Sequence, residues 1–107
     1  MTITVREYID ESGASPFSHW FKRLDATAAA KVATALYRLE QGNFSTVEGV
    51  GGGLYECKIS FGPGYRVYFG KEGEELVILL GGGSKKRQSA DISAALTYWQ
   101  DYQRRKR

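Results

Sequence analysis

The spacing of apolar residues changes along this chain, and each change marks an element. From Thr2 to Tyr8 the side chains alternate, with Ile3, Val5 and Glu7 on one side and Thr4, Arg6 and Tyr8 on the other. That predicts a first strand, ended by the polar turn Asp10-Glu11-Ser12-Gly13. Ser15-Pro16 reads as a helix start, a serine cap followed by a residue of fixed φ, and Phe17, Trp20, Phe21 and Leu24 follow at helical spacing. A second helix is predicted from Asp25 as cap, burying Ala29, Val32, Leu36 and Leu39 and stopping at Gly42. The segment 43–53 has no clear period and reads as loose. Two aromatic and β-branched runs, predicted as strands over 54–61 and 65–70, flank Gly62-Pro63-Gly64, where the chain reverses. A third apolar run, Leu76 to Leu80, is entered through Lys71-Glu72-Gly73-Glu74. Its unbroken character predicts a strand covered on both faces. From about Gln88, Ile92, Ala95, Leu96 and Trp99 describe a last amphipathic helix. The order βααβββα predicts an α+β fold, an antiparallel sheet with helices packed on one face and the other face open.

Within the hairpin, pairing Phe61 with Tyr65 near the turn sets Ser60 opposite Arg66 and Lys58 opposite Tyr68. Side chains alternate with period two, so Glu56, Lys58, Ser60, Arg66 and Tyr68 share one polar face. Tyr55, Cys57, Ile59, Phe61, Tyr65, Val67 and Phe69 form the core face.

Composition narrows the classes. The 107 residues predict a single domain over 1–107. The lone cysteine has the core parity of the hairpin and reads as a packed, reduced thiol. One histidine, His19, and one cysteine give no cluster at metal-ligand spacing, so no metal or other cofactor is expected. No charged-then-apolar leader opens the sequence, and no apolar run approaches the roughly 18 residues a membrane helix needs. A soluble, cytoplasmic protein is expected. The net charge of +3 is carried by the last four residues, Arg104, Arg105, Lys106 and Arg107, without which the chain is at −1. Bulk charge therefore gives no argument for nucleic acid, and residues 103–107 read as a basic, mobile tail.

Position is more informative. Lys58 and Arg66 on the polar face and Lys85, Lys86 and Arg87 beyond the third run converge, an arginine fork and compact ammonium groups suited to phosphate. Tyr68 has the parity to stack on a base. The plain alternative is a solvated surface, or an ion pair with Glu56. His19 beside Trp20 reads as a surface or packing residue, and Gly51 to Gly53 and Gly81 to Gly83 lack the spacing of a phosphate-binding loop.

The motifs G-L-Y-E-x-K-I, G-P-G-Y-R-V-Y-F, L-L-G-G-G-x-K and D-I-x-x-A-x-x-Y-W, with the opening F-x-x-W-F, resemble the RelE/ParE superfamily, and within it the HigB-like addiction module killer, phage-derived Gp49-like branch. The resemblance implies a cytosolic toxin of a type II toxin–antitoxin pair, held by a helix-turn-helix antitoxin, that cleaves messenger RNA in the ribosomal A site without a metal. In such chemistry the ribose 2′-hydroxyl attacks the adjacent phosphate and expels the 5′-oxygen. The resemblance makes Arg66, Lys58 and Lys85 (or Lys86 after a one-residue shift) the catalytic candidates, with Lys86, Arg87 and Tyr68 as RNA-binding residues. Ser93, Ala94 and Ala95 stand where a proton-transferring tyrosine or histidine is often found, which leaves the general acid and base unassigned. Two alternatives stay open: a ParE-like toxin that binds DNA gyrase without catalysis, and a degenerate member kept as an antitoxin-binding regulator.

Overall fold

Ser15 and Asp25 start the first two helices as the sequence predicts. The Ser15 hydroxyl accepts from the Ser18 amide at 3.0 Å and the Asp25 carboxylate from the Ala28 amide at 2.8 Å, each satisfying a donor that a first helical turn leaves free. In the computed structural model, which describes residues 2–106, the elements are β1 (Thr4–Glu7), α1 (Pro16–Phe21), α2 (Ala26–Glu40), β2 (Val47–Gly51), β3 (Leu54–Ile59), β4 (Tyr65–Glu72), β5 (Leu76–Ser84), a short 3₁₀ turn (Lys85–Arg87) and α3 (Gln88–Arg105).

The five strands form one sheet in the order β1-β5-β4-β3-β2. The α+β class stands, but the sheet is mixed rather than antiparallel, because β1 runs parallel to β5. Alternation in a sequence shows that a strand exists but not which neighbour it takes. The segment expected to be loose contains β2, antiparallel to β3. Only Val47 and Val50 of this edge strand turn inward, and a register shift between Gly49 and Gly51 breaks its period.

Helices α1 and α2 lie together on one face. Phe17, Val32, Ala35 and Leu39 pack there against Cys57, Ile59, Val67, Phe69, Val77 and Leu79. The second face, expected to be open, is partly covered by α3: Ala95 and Trp99 pack against Leu54, Tyr68, Ile78 and Leu80. Leu79 belongs to one core and Leu80 to the other, which is why the β5 run is apolar without interruption. Two glycines let aromatic rings lie on the backbone. A Cβ at Gly70 would stand 2.5 Å from the Trp99 ring on the α3 face, and one at Gly82 would collide with the Trp20 ring on the other.

At its far end α3 is tied to the sheet. Tyr8 Oη donates to Asp101 at 2.6 Å and Tyr102 Oη to Glu72 at 2.7 Å. The segment 103–107, expected as a loose tail, is helical to Arg105. Arg104 and Arg105 pair with Asp101 and Lys106 pairs with Glu72, while Arg107 lies outside the described residues.

Candidate nucleic-acid interface

The hairpin places the two central cations closer than the sequence suggests. Gly62 and Gly64 adopt φ of 56° and 79°, and Phe61 belongs to the turn rather than the strand, its amide donating to Ile59 and its carbonyl accepting from Gly64. The longer turn moves the register by two residues. Lys58 stands directly opposite Arg66 and Glu56 opposite Tyr68, in place of the expected pairs. A two-residue shift preserves parity, so Glu56, Lys58, Arg66 and Tyr68 keep their shared face, while Ser60 falls beyond the end of β3.

Each cation has a carboxylate. Lys58, with 39% of its side chain exposed, places Nζ 2.7 Å from Glu48 Oε1, and this hydrogen bond and charge hold the Glu48 carboxyl below its usual range. Arg66 is only 12% exposed, and its Nε lies 3.3 Å from Oε1 of the buried Glu56. The same oxygen accepts from Gln88 Nε2 at 3.0 Å, so the start of α3 helps hold the carboxylate in place. Lys58 thus stays at the surface beside Glu48, whereas Arg66 is largely covered, and for it the plain alternative of an ion pair with Glu56 is what the fold contains.

Tyr68 is corrected more sharply. Its side chain is fully buried under α3, with no open ring face for a base. The hydroxyl has no hydrogen-bond partner, and burial, with the nearby Glu56 and Asp91 carboxyls, pushes its pKa up to about 12. Asp91, in the first turn of α3, has a buried Oδ2 without a partner, and burial raises its carboxyl pKa against the opposing charge of Arg87. Arg66 Nε is a third buried polar atom with no well-aligned partner. Gly83, the cross-strand partner of Arg66, lies so near Asp91 that a Cβ there would overlap the carboxylate. Arg66, Tyr68 and Asp91 thus form an under-satisfied polar seam between the sheet and the start of α3.

Lys85, Lys86 and Arg87 are exposed, in the 3₁₀ turn. The Lys85 amide donates to the Gly64 carbonyl at 2.8 Å, which fastens this basic turn to the hairpin loop beside the start of β4. Lys58, Arg66, Lys85, Lys86 and Arg87 therefore gather at one end of the sheet. His19 is exposed on α1, where it lines a cleft of about 310 Å³ between α1 and α3 with Arg23, Gly82 and Asp91. Among the described residues no group of three or more histidine, cysteine or acidic side chains stands together as a metal site, and no helix is long and apolar enough to cross a membrane.

Gln88 and Asp91 are the polar residues that sequence reading missed. Their signal was the helical spacing itself, since Gln88, Asp91, Ala95 and Trp99 continue one stripe along α3.

Residues 19–98 match the family described as Phage derived protein Gp49-like (DUF891). A protein of Haemophilus influenzae (strain ATCC 51907 / DSM 11121 / KW20 / Rd), described as "Uncharacterized protein", is 41% identical over 80 residues, covering 74% of this chain and 81% of the relative. The matched span begins in α1, ends in α3 and includes every candidate residue of the basic end.

Proposed function

Because the chain belongs to the phage-derived Gp49-like family, a family of the RelE/ParE-like toxin type, we propose that it is the toxin of a type II toxin–antitoxin pair and that it cuts messenger RNA without a metal. The observation that carries this reading is the direct Lys58–Arg66 pairing beside the Lys85–Arg87 turn. Strand scission by a 2′-hydroxyl passes through a phosphorane whose charge must be neutralised as it develops. In the proposed roles Arg66 faces the phosphorane oxygens, Lys58 stabilises the attacking 2′-oxygen, and Lys85 holds the phosphate, with Lys86 and Arg87 on its neighbours. An arginine has five donors, and Glu56 engages Arg66 through Nε, leaving the Nη groups for a phosphate. The Lys58–Glu48 pair is exposed and screened by solvent, so an incoming phosphate displaces it readily. A helix-turn-helix antitoxin is the neutralising partner in this reading, and the ribosomal A site is where the message is presented.

A second reading has its own observation. Glu56 against Arg66 and the sealed Tyr68 suit a toxin that inhibits DNA gyrase by binding alone. Induced expression of wild type, Arg66→Ala and the exposed-site variant Lys85→Ala, with growth and transcript ends followed, separates the two. The expected result is arrest with new ends inside translated messages, and at least a tenfold loss in each variant, about 1.4 kcal/mol. Arrest with intact messages and damaged DNA overturns the nuclease in favour of the gyrase reading.

A further inference from the structure

A groove of about 330 Å³ runs between α2 and the far end of β3, lined by Lys31, Thr34, Arg38, Thr46, Lys58 and Ser60 among others, with no carboxylate in its lining. Lys31, Thr34 and Arg38 follow at i, i+3 and i+7 and so share one face of α2, the two cations about 10.5 Å apart along the axis. Neither Lys31 nor Arg38 is in an ion pair among the described residues. The Lys31 ammonium stands 5.4 Å from the centroid of the Phe61 ring, which holds it at the groove instead of leaving it free in solvent. The β2–β3 ladder ends here, because β2 begins at Val47, opposite Cys57. Beyond that point the neighbour is Thr46, whose carbonyl accepts from the Lys58 amide at 3.0 Å.

We infer that this groove is a track for the sugar–phosphate backbone of single-stranded RNA, continuing from Lys58 past Thr46 and Ser60 to Lys31 and Arg38. The inference rests on the nuclease reading above and extends it, by giving the substrate a second set of contacts on the α2 side of the sheet. The chemistry favours phosphate over an amphipathic peptide. The lining offers ammonium, guanidinium and hydroxyl donors, and its apolar members, Ala35, Ile59 and Phe61, do not form the continuous strip a helix would need. Lys58 belongs both to the groove and to the proposed scission site, so one strand with a charge at every nucleotide meets both. Contacts to phosphate carry no base information, so the track adds affinity without sequence preference.

The test is the salt dependence of binding to a short single-stranded 2′-O-methyl RNA, which a 2′-hydroxyl mechanism cannot cleave. Wild type, Lys31→Ala/Arg38→Ala and the charge-matched control Lys22→Ala/Arg23→Ala are compared. All four positions are exposed, and circular dichroism checks that the fold is kept. Two lost phosphate contacts are expected to make the slope of log affinity against log salt shallower by about 1.4, since each contact on a single strand contributes about 0.7. Affinity at low salt should fall at least tenfold, while the control keeps the wild-type slope. An unchanged slope in the groove variant overturns the track and leaves the nuclease reading standing. An equal change in the control reduces the effect to net charge and also overturns it. A wild type that does not bind the RNA overturns the track and leaves the nuclease reading, in which the ribosome presents the message, to the transcript-end measurement above. A groove variant that loses affinity for a polyglutamate peptide but not for RNA assigns the groove to an acidic protein segment instead.

Discussion

Lys58 and Arg66 are cross-strand partners, yet they face different carboxylates in different surroundings: Lys58 meets Glu48 at the surface and Arg66 meets Glu56 inside. The surface pair exchanges readily with an incoming anion. The interior pair does not, because separating it leaves a buried carboxylate without its counter-charge. Glu56 is therefore the group that sets how available Arg66 is.

Glu56→Gln should raise affinity for single-stranded RNA several-fold, because the neutral amide no longer competes with phosphate for the guanidinium. The same change should lower stability by about 1–3 kcal/mol, the cost of removing the charged partner of a largely buried arginine. Binding isotherms and urea unfolding of the one variant measure both effects. Weaker binding in a folded Glu56→Gln protein would mean that the carboxylate positions Arg66 instead of restraining it.

Tyr68→Phe is expected to be neutral or to stabilise by up to about 1 kcal/mol. Its hydroxyl is buried without a partner, so the truncation removes a desolvation cost and keeps the ring. RNA binding should not change, since the ring is sealed beneath α3. A loss of more than 1 kcal/mol in chemical denaturation would instead identify a hydrogen bond to an internal water.

Stability should fall at both ends of the pH scale as α3 comes away from the sheet. The hydrogen bond from Tyr8 holds Asp101 below the usual carboxylate range, and hydrogen bonds from Lys106 and Tyr102 do the same for Glu72. A depressed folded-state pKa gives stability that is present above the unfolded-state value and lost as pH falls through the folded one. Burial first, and then these carboxylates, push Tyr8 and Tyr102 up from 10.0 to about 12, so their contribution is present below pH 10 and lost as pH rises through about 12. Trp99 lies on the buried face of α3, stacked on Tyr102, and its fluorescence reports the change. Asp101→Asn combined with Glu72→Gln should flatten the acid limb of denaturation midpoint against pH. An acid limb as steep as that of wild type would locate the protonation elsewhere.

Much of the fold was legible because local chemistry enforces it. Ser15 and Asp25 cap their helices wherever those helices pack, and the Gly62-Pro63-Gly64 cluster reverses the chain whatever its register. Strand β2 was not legible, because two valines among glycines carry no period. The parallel β1–β5 pairing was not legible either, since both strands alternate alike whichever direction the neighbour runs. At the candidate interface, parity placed Lys58, Arg66, Glu56 and Tyr68 on one face correctly. It said nothing of a later helix, Gln88–Arg105, descending on that face.

The sequence by itself determined the helix starts, the hairpin and the two faces of β3 and β4, all of which depend on neighbours a few residues apart, and it carried the family resemblance in motifs spread along the chain. Only the tertiary structure decided which polar side chains meet water. Trp99 lies flat against Gly70, and that seat brings Gln88 to Glu56 and Asp91 to Gly83. Burial is a property of what packs above a side chain, and for Tyr68 and Arg66 that is α3, distant in sequence and held there by its own apolar stripe.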